Sequence, residues 1–353
     1  MASQSSFAQP LPPVLHRRPR RRAVFGGIDL GTNNCRMLIG TPSGQGFTVL
    51  DSFSRVVRLG EGLYETGRLS SVAMERALVS LALCAERARR WRGDEANAPI
   101  RLRAIATEAC RQAENGEEFV RRVRETTGLP LEIINPREEA ELAVESCASL
   151  LRRAGRRALL FDIGGGSTEI AWVRLDGGPR PELIGYLSLP VGVVTLSERC
   201  AGSCYQAEGF ARLMQDVITL LRPFEAVHRI GEEIRQGGVM MVGTSGTVTT
   251  LAGVSLKLER YRRGVVDGVS LSRQAVDAAL AEAWALGREG LSRHPCIGQE
   301  RVEFVLPGCA IFAAIHELWQ AQQLVVADRG LREGILMRLM RGGPPQTRSR
   351  FQA

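Results

Sequence analysis

Lysine is almost absent. Lys257 is the only one among 46 basic residues, so the net charge of +8 rests on arginine. No Gly-Lys-[Ser/Thr] phosphate loop can be built, and side-chain phosphate contacts must come chiefly from Arg, metal and backbone. Histidine is scarce too: residues 16, 228, 294 and 316 include no closely spaced pair and no His-Asp pair. That argues against a histidine-based metal centre, and His316, on an apolar helix, is expected as a satisfied core residue. No run of about eighteen apolar residues occurs, and no apolar signal core precedes the N-terminal basic stretch. A cytoplasmic protein with no membrane partner is expected. Cysteine is not lacking, but the eight thiols are scattered, mostly among apolar neighbours, and read as small core residues.

At 353 residues, 44% apolar and 24% charged, the chain has the make-up of a soluble globular protein of two domains. The stretch at residues 158–173 organises it: an apolar run ends in Asp162, Gly164-Gly165-Gly166 turns the chain, Ser167, Thr168 and Glu169 follow, and an apolar run leads away. This predicts strand, tight turn and strand. Three glycines are costly in a strand, and their use is to let N–H groups approach an anion, most often phosphate. Asp162 and Glu169 beside that anion make sense with a divalent cation between them. The same grammar occurs at residues 24–40, around Asp29, Gly31, Thr32 and Asn33. Two such hairpins predict two similar α/β lobes facing one another across a cleft. A third glycine-rich element, 238–252 with Gly243, Ser245 and Gly246, reads as strand, turn and helix start, an anion or nucleotide site built on a helix N-terminus.

Between these landmarks the pattern predicts helices over 70–92 and 117–126, strands over 47–57, 100–107, 131–134 and 182–189, and a helical region over 193–234. Later come helices over 272–286 and 308–319, a strand over 324–328 and a closing helix over 330–340. Asn135-Pro136 opens a helix carrying Glu138, Glu139 and Glu141. Glu138 and Glu139 point in different directions, so at most one faces the cleft, and that one would be a natural general base. Residues 1–22 read as a disordered basic arm and 342–353 as a disordered tail. The pI of about 9.4 suits a polyanionic partner.

Taken together, these motifs closely resemble the exopolyphosphatase and guanosine pentaphosphate phosphohydrolase (Ppx/GppA) family, within the actin, sugar-kinase and heat-shock-chaperone superfamily. The match is carried by Asp29-Leu30-Gly31-Thr32-Asn33, by residues 106–115 with Arg111, by 133–140, by 162–169, by 242–247 and by 330–335. The resemblance implies two ribonuclease-H-like (actin-like ATPase) lobes: lobe I from 23–136 with 328–341 returning to it, lobe II from 137–327. It implies that Glu139 activates water, that Asp29, Asp162 and Glu169 hold Mg2+ directly or through water, and that Arg111 grips the phosphate chain. Gly31, Thr32, Asn33, Gly164, Gly165, Gly166, Ser167, Gly243, Ser245 and Gly246 would bind substrate. Departures are Thr32 where many members carry Ser, Asn34 where Ser is common, and the absence of the appended helical region of longer members.

The expected activity is release of terminal orthophosphate from inorganic polyphosphate. Guanosine pentaphosphate hydrolysis is the alternative, and a non-catalytic alarmone or nucleotide sensor a further one. A sugar or acetate kinase is disfavoured by Arg111 and the Glu-Glu-Ala motif. A homodimer is implied by the resemblance alone, and nucleic acid is not expected as a partner.

Overall fold

Each Asp-x-Gly turn joins two adjacent antiparallel strands inside a sheet. The computed structural model describes residues 23–44, 46–91, 100–152, 155–178 and 180–342. The arm expected over 1–22 and, apart from Gly342, the tail expected over 342–353 lie outside the described residues.

The first sheet comprises β1 (Phe25–Leu30), β2 (Asn34–Ser43), β3 (Gly46–Val56), β4 (Arg101–Ala106) and β5 (Leu131–Ile133), in the order β3-β2-β1-β4-β5. β1 runs antiparallel to β2 and parallel to β4. The second comprises β6 (Arg157–Ile163), β7 (Thr168–Arg174), β8 (Glu182–Leu189), β9 (Val239–Thr244), β10 (Ser270–Ser272) and β11 (Gln323–Ala327), in the order β10-β11-β9-β6-β7-β8. β6 repeats the pairing of β1: antiparallel to β7 and parallel to β9. The chain is therefore an α/β protein of two ribonuclease-H-like lobes. β1 and β6 are apolar almost throughout because helices cover both faces of their sheets, as parallel strands require.

Two helices lie between the sheets. Pro136–Ser146 packs on β7 and β8, while Leu331–Met340 packs on β1 and β2, and the two pack on each other. Their apolar faces, with Leu142, Ala143, Ile335 and Leu336, join Phe25 and Leu38 of one sheet to Leu160, Ala171 and Val242 of the other in a shared core. Glycine makes these approaches feasible: a Cβ on Gly334 would lie 2.2 Å from the Leu142 carbonyl oxygen, and one on Gly27 3.0 Å from that of Arg332. Further bonds cross between the lobes at the loop after β3, where Arg58 Nη2 donates to Glu303 Oε1 at 2.9 Å and the Gly62 N–H to Glu198 Oε1 at 3.1 Å.

Several elements differ from the sequence expectation. The region over 193–234 is three helices, Val193–Cys200, Ala207–His228 and Ile230–Gln236, with left-handed residues Ala201, Gly202 and Arg229 at their junctions. The helix expected from residue 308 begins at Val302 and runs through Pro307. Proline there removes the bond to the Glu303 carbonyl, which instead accepts the Ser197 hydroxyl at 3.3 Å. His316 is buried but only half satisfied: Nε2 lies 3.0 Å from Asp277 Oδ1, and Nδ1 has no partner among the described residues. Helix packing creates that His-Asp pair from residues 39 apart, a separation at which sequence gives no signal. All eight cysteines are free and buried.

Candidate active site

The two turns are copies of one another in detail. Gly31 N–H donates to Asn34 O at 2.9 Å, and Gly164 N–H to Ser167 O at 2.9 Å. Asp29 and Asp162 stand next to last in β1 and β6, at the carboxyl ends where open α/β sheets bind ligands. Across each hairpin, Asp29 is in register with Arg36 and Asp162 with Glu169, so partners share a face.

Asp29, Gly31, Thr32, Asn33, Asp162, Gly164, Gly165, Gly166, Ser167, Glu169, Ser245, Gly246 and Glu139 all line one cleft between the lobes. Gly243 does not join them. It is buried within β9, where a Cβ would meet the Phe161 ring at 2.6 Å, so this glycine serves packing rather than ligand approach.

The glycine turns meet at the floor of the cleft. A Cβ on Gly165 would come 3.1 Å from Thr32 Cβ, and one on Gly166 2.5 Å from Thr32 Oγ1. The Gly165 carbonyl is fixed by the Val194 N–H at 2.8 Å, whereas the N–H groups of Thr32, Asn33, Gly165 and Gly166 have no partner among the described residues. Asn33 Oδ1 and Ser245 Oγ are likewise buried without partners. Gly166→Ala is expected to cost about 1–3 kcal/mol by overpacking, seen as a lower Tm, and to weaken binding of inorganic triphosphate in calorimetric titration. Unchanged Tm and affinity would show that the turns do not need this approach.

The helix Pro136–Ser146 decides between the glutamates. Its cap is Asn135, whose side chain accepts the Glu138 N–H at 2.9 Å, with Pro136 in the first turn. Glu138 turns away to Arg103 and Arg338, at 2.8 and 2.9 Å. Glu139, about 100° further round, is buried at 5% exposure and faces the cleft. Its Oε2 accepts from Arg111 Nη1 at 3.0 Å. Burial first, and Glu169 next, push its carboxyl well above the ordinary range, against the pull of Arg111.

Arg111 itself does not line the cleft. Its Nε donates to Glu108 Oε2 at 3.0 Å, its Nη1 to Ile134 O at 2.8 Å as well as to Glu139, and its Nη2 to Glu108. Among the arginines that do line the cleft, Arg329 is held by Asp267 at 3.0 Å. The Arg36 and Arg301 side chains have no hydrogen-bond or ion-pair partner among the described residues. Sequence reading missed both. Arg36 was within reach, since it occupies in the first hairpin the place of Glu169 in the second; Arg301 precedes the helix Val302–Leu318 and carries no motif.

The remaining carboxylates are short of positive charge. Burial holds Asp29 and Asp162 up to about 6, with Arg36 pulling both down, and burial and then Asp162 raise Glu169 to about 8. Asp29 Oδ1 is buried with no donor among the described residues. Oxygen donors of this kind fit a hard divalent cation such as Mg2+. Among the described residues no three His, Cys, Asp or Glu side chains close into a ready ligand set.

The family model for the Ppx/GppA phosphatase family matches residues 39–342. Among solved structures, an exopolyphosphatase-like protein is 26% identical over 91% of this chain and 98% of its own, with a TM-score of 0.80. The Aquifex aeolicus member of the Ppx/GppA family is 26% identical over 91% of this chain and 98% of its own, with a TM-score of 0.71. An exopolyphosphatase from Cytophaga hutchinsonii, 21% identical over 92% of this chain and 100% of its own, shares the fold with a TM-score of 0.77.

Proposed function

Because the chain belongs to the Ppx/GppA phosphatase family, we propose that it hydrolyses phosphoanhydride bonds, releasing terminal orthophosphate from inorganic polyphosphate. The observation that carries this reading is one carboxylate, Glu139, buried on the wall of a cleft whose floor is two glycine turns with unengaged N–H groups. Those N–H groups and the Arg36 and Arg301 side chains would take the oxygens of the terminal phosphates. Glu139 would accept a proton from a water positioned for in-line attack on the terminal phosphorus. The P–O bond to the bridging oxygen then breaks, and the shortened chain leaves on that oxygen. Asp29, Asp162 and Glu169 would hold Mg2+, directly or through water, and when bound it neutralises charge on the phosphate oxygens. Arg111, engaged by Glu108 and Glu139, would act on the base rather than on the substrate.

A second reading, hydrolysis of guanosine pentaphosphate, draws on the apolar wall formed by Val193, Leu251, Phe304 and Val305 beside the phosphate turns, a surface on which a nucleobase could lie. Phosphate release by purified protein with Mg2+, compared on short polyphosphate, long polyphosphate and guanosine pentaphosphate, decides between the two. Polyphosphate is expected to be turned over most efficiently. Turnover of the pentaphosphate alone would select the second reading, and tight binding without turnover of any of the three would make the cleft a sensor.

Among the described residues no helix is long and apolar enough to cross a membrane.

A further inference from the structure

We propose that Glu108 is a positioning residue for the reaction: it grips the guanidinium of Arg111 so that this arginine orients Glu139 instead of joining the substrate. The proposal rests on the hydrolase reading above and extends it to a residue outside the cleft lining.

Glu108 begins the short helix Glu108–Gln112 at the carboxyl end of β4, and is buried at 6% exposure. Its Oε2 takes both Nε and Nη2 of Arg111, and its Oε1 takes the Gln112 amide at 2.9 Å. The carboxylate is thus itself anchored. Arg111 Nη1 is left to bridge the Ile134 carbonyl and Glu139 Oε2. Nε, Nη1 and Nη2 are all committed within the protein, and the planar fork fixes the direction in which Nη1 meets the base. The Glu108 side chain also packs against the facing lobe: a Cβ on Gly166 would lie 3.2 Å from Glu108 Cγ. The residue that holds Arg111 therefore touches the turn that would hold the terminal phosphate.

Without the Glu108 carboxylate, Nε and Nη2 of a mostly buried guanidinium lose their acceptor. Arg111 then turns to the strongest remaining anion, either both oxygens of Glu139 or a bound phosphate. In the first case the base is gripped in a different orientation and in the second it loses its contact, while the cleft gains or keeps positive charge. Glu108→Met, which keeps the length of the side chain and removes both oxygens, is therefore expected to lower kcat at least tenfold with KM unchanged or reduced. Glu108→Asp, which keeps the charge on a shorter arm, should lose less. In an Arg111→Ala background, Glu108→Met should have no further effect on kcat, because Glu108 acts only through Arg111.

The second readout is independent of turnover. In 15N-arginine-labelled protein, the Nε–H resonance that disappears in Arg111→Lys is expected to be protected from solvent exchange in the parent and to lose that protection in Glu108→Met. An unchanged kcat, a rise in KM alone, an equal loss of kcat in the Arg111→Ala background, or retained Nε–H protection in Glu108→Met would each overturn the proposal. Failure of the parent to hydrolyse any phosphoanhydride would instead strike the hydrolase reading, leaving the resonance to decide whether Glu108 holds Arg111.

Discussion

Glu139→Gln is expected to lower kcat by about 10²–10⁴-fold, the usual contribution of a positioned general base, while binding of polyphosphate persists. The amide keeps the shape of the side chain and an oxygen for Arg111 Nη1, so the wall of the cleft survives and only the proton acceptor is lost. Stability should not fall. The carboxylate is buried and pushed well above its ordinary range by burial and by Glu169, so neutralising it removes a repulsion while Arg111 keeps Glu108 as its counter-ion. Stopped assays of phosphate release, calorimetric titration with a short polyphosphate and a thermal melt test the three statements. Retained turnover would move the base elsewhere. Lost binding would make Glu139 a substrate contact. A sharp fall in Tm would make it structural.

The second large effect concerns pH and Mg2+. Asp29 and Asp162 are held up to about 6 and Glu169 to about 8, each chiefly by burial. Their folded values lie above the unfolded ones, so the folded protein binds these protons more tightly. The stability they contribute is fully present below the ordinary carboxylate range and is lost as pH rises through 6 and then 8. Each unit of displacement corresponds to about 1.4 kcal/mol. Metal-free protein is therefore expected to lose Tm between pH 5 and pH 8. Mg2+ should restore it strongly at pH 8 and little at pH 5, where the carboxyls are occupied by protons. Asp29→Asn and Asp162→Asn should each flatten the metal-free pH dependence, reduce the Mg2+ increment and abolish most turnover. Scanning calorimetry with and without a chelator reads the first two. A metal-free Tm that rises over this window, or an Mg2+ increment unaffected by either Asn variant, would refute the account.

Much of the framework was legible because it is written in contiguous residues. Asp-x-Gly turns, the apolar strands on either side and the Asn135-Pro136 helix start are local signals. Their repetition predicted two lobes facing across a cleft. Gly243 and Gly165 carry the same signal in the sequence, yet the structure places Gly165 in the cleft and Gly243 outside it. A glycine leaves room either for a ligand or for a neighbouring ring, and only the position of Phe161 distinguishes the two.

The sequence by itself determined the two-lobed α/β plan, the phosphate-type turns and the acidic residues beside them, since turn chemistry and strand periodicity act over a few residues. Tertiary structure decided which glutamate faces the cleft, because Arg103 and Arg338 draw Glu138 away. It decided that Arg111 is tied to Glu108 and Glu139, and that the Arg36 and Arg301 side chains stand in the cleft without a partner among the described residues. The direction of a charged side chain is set by whichever counter-ions the fold brings within reach, and those arrive from segments far apart in the chain.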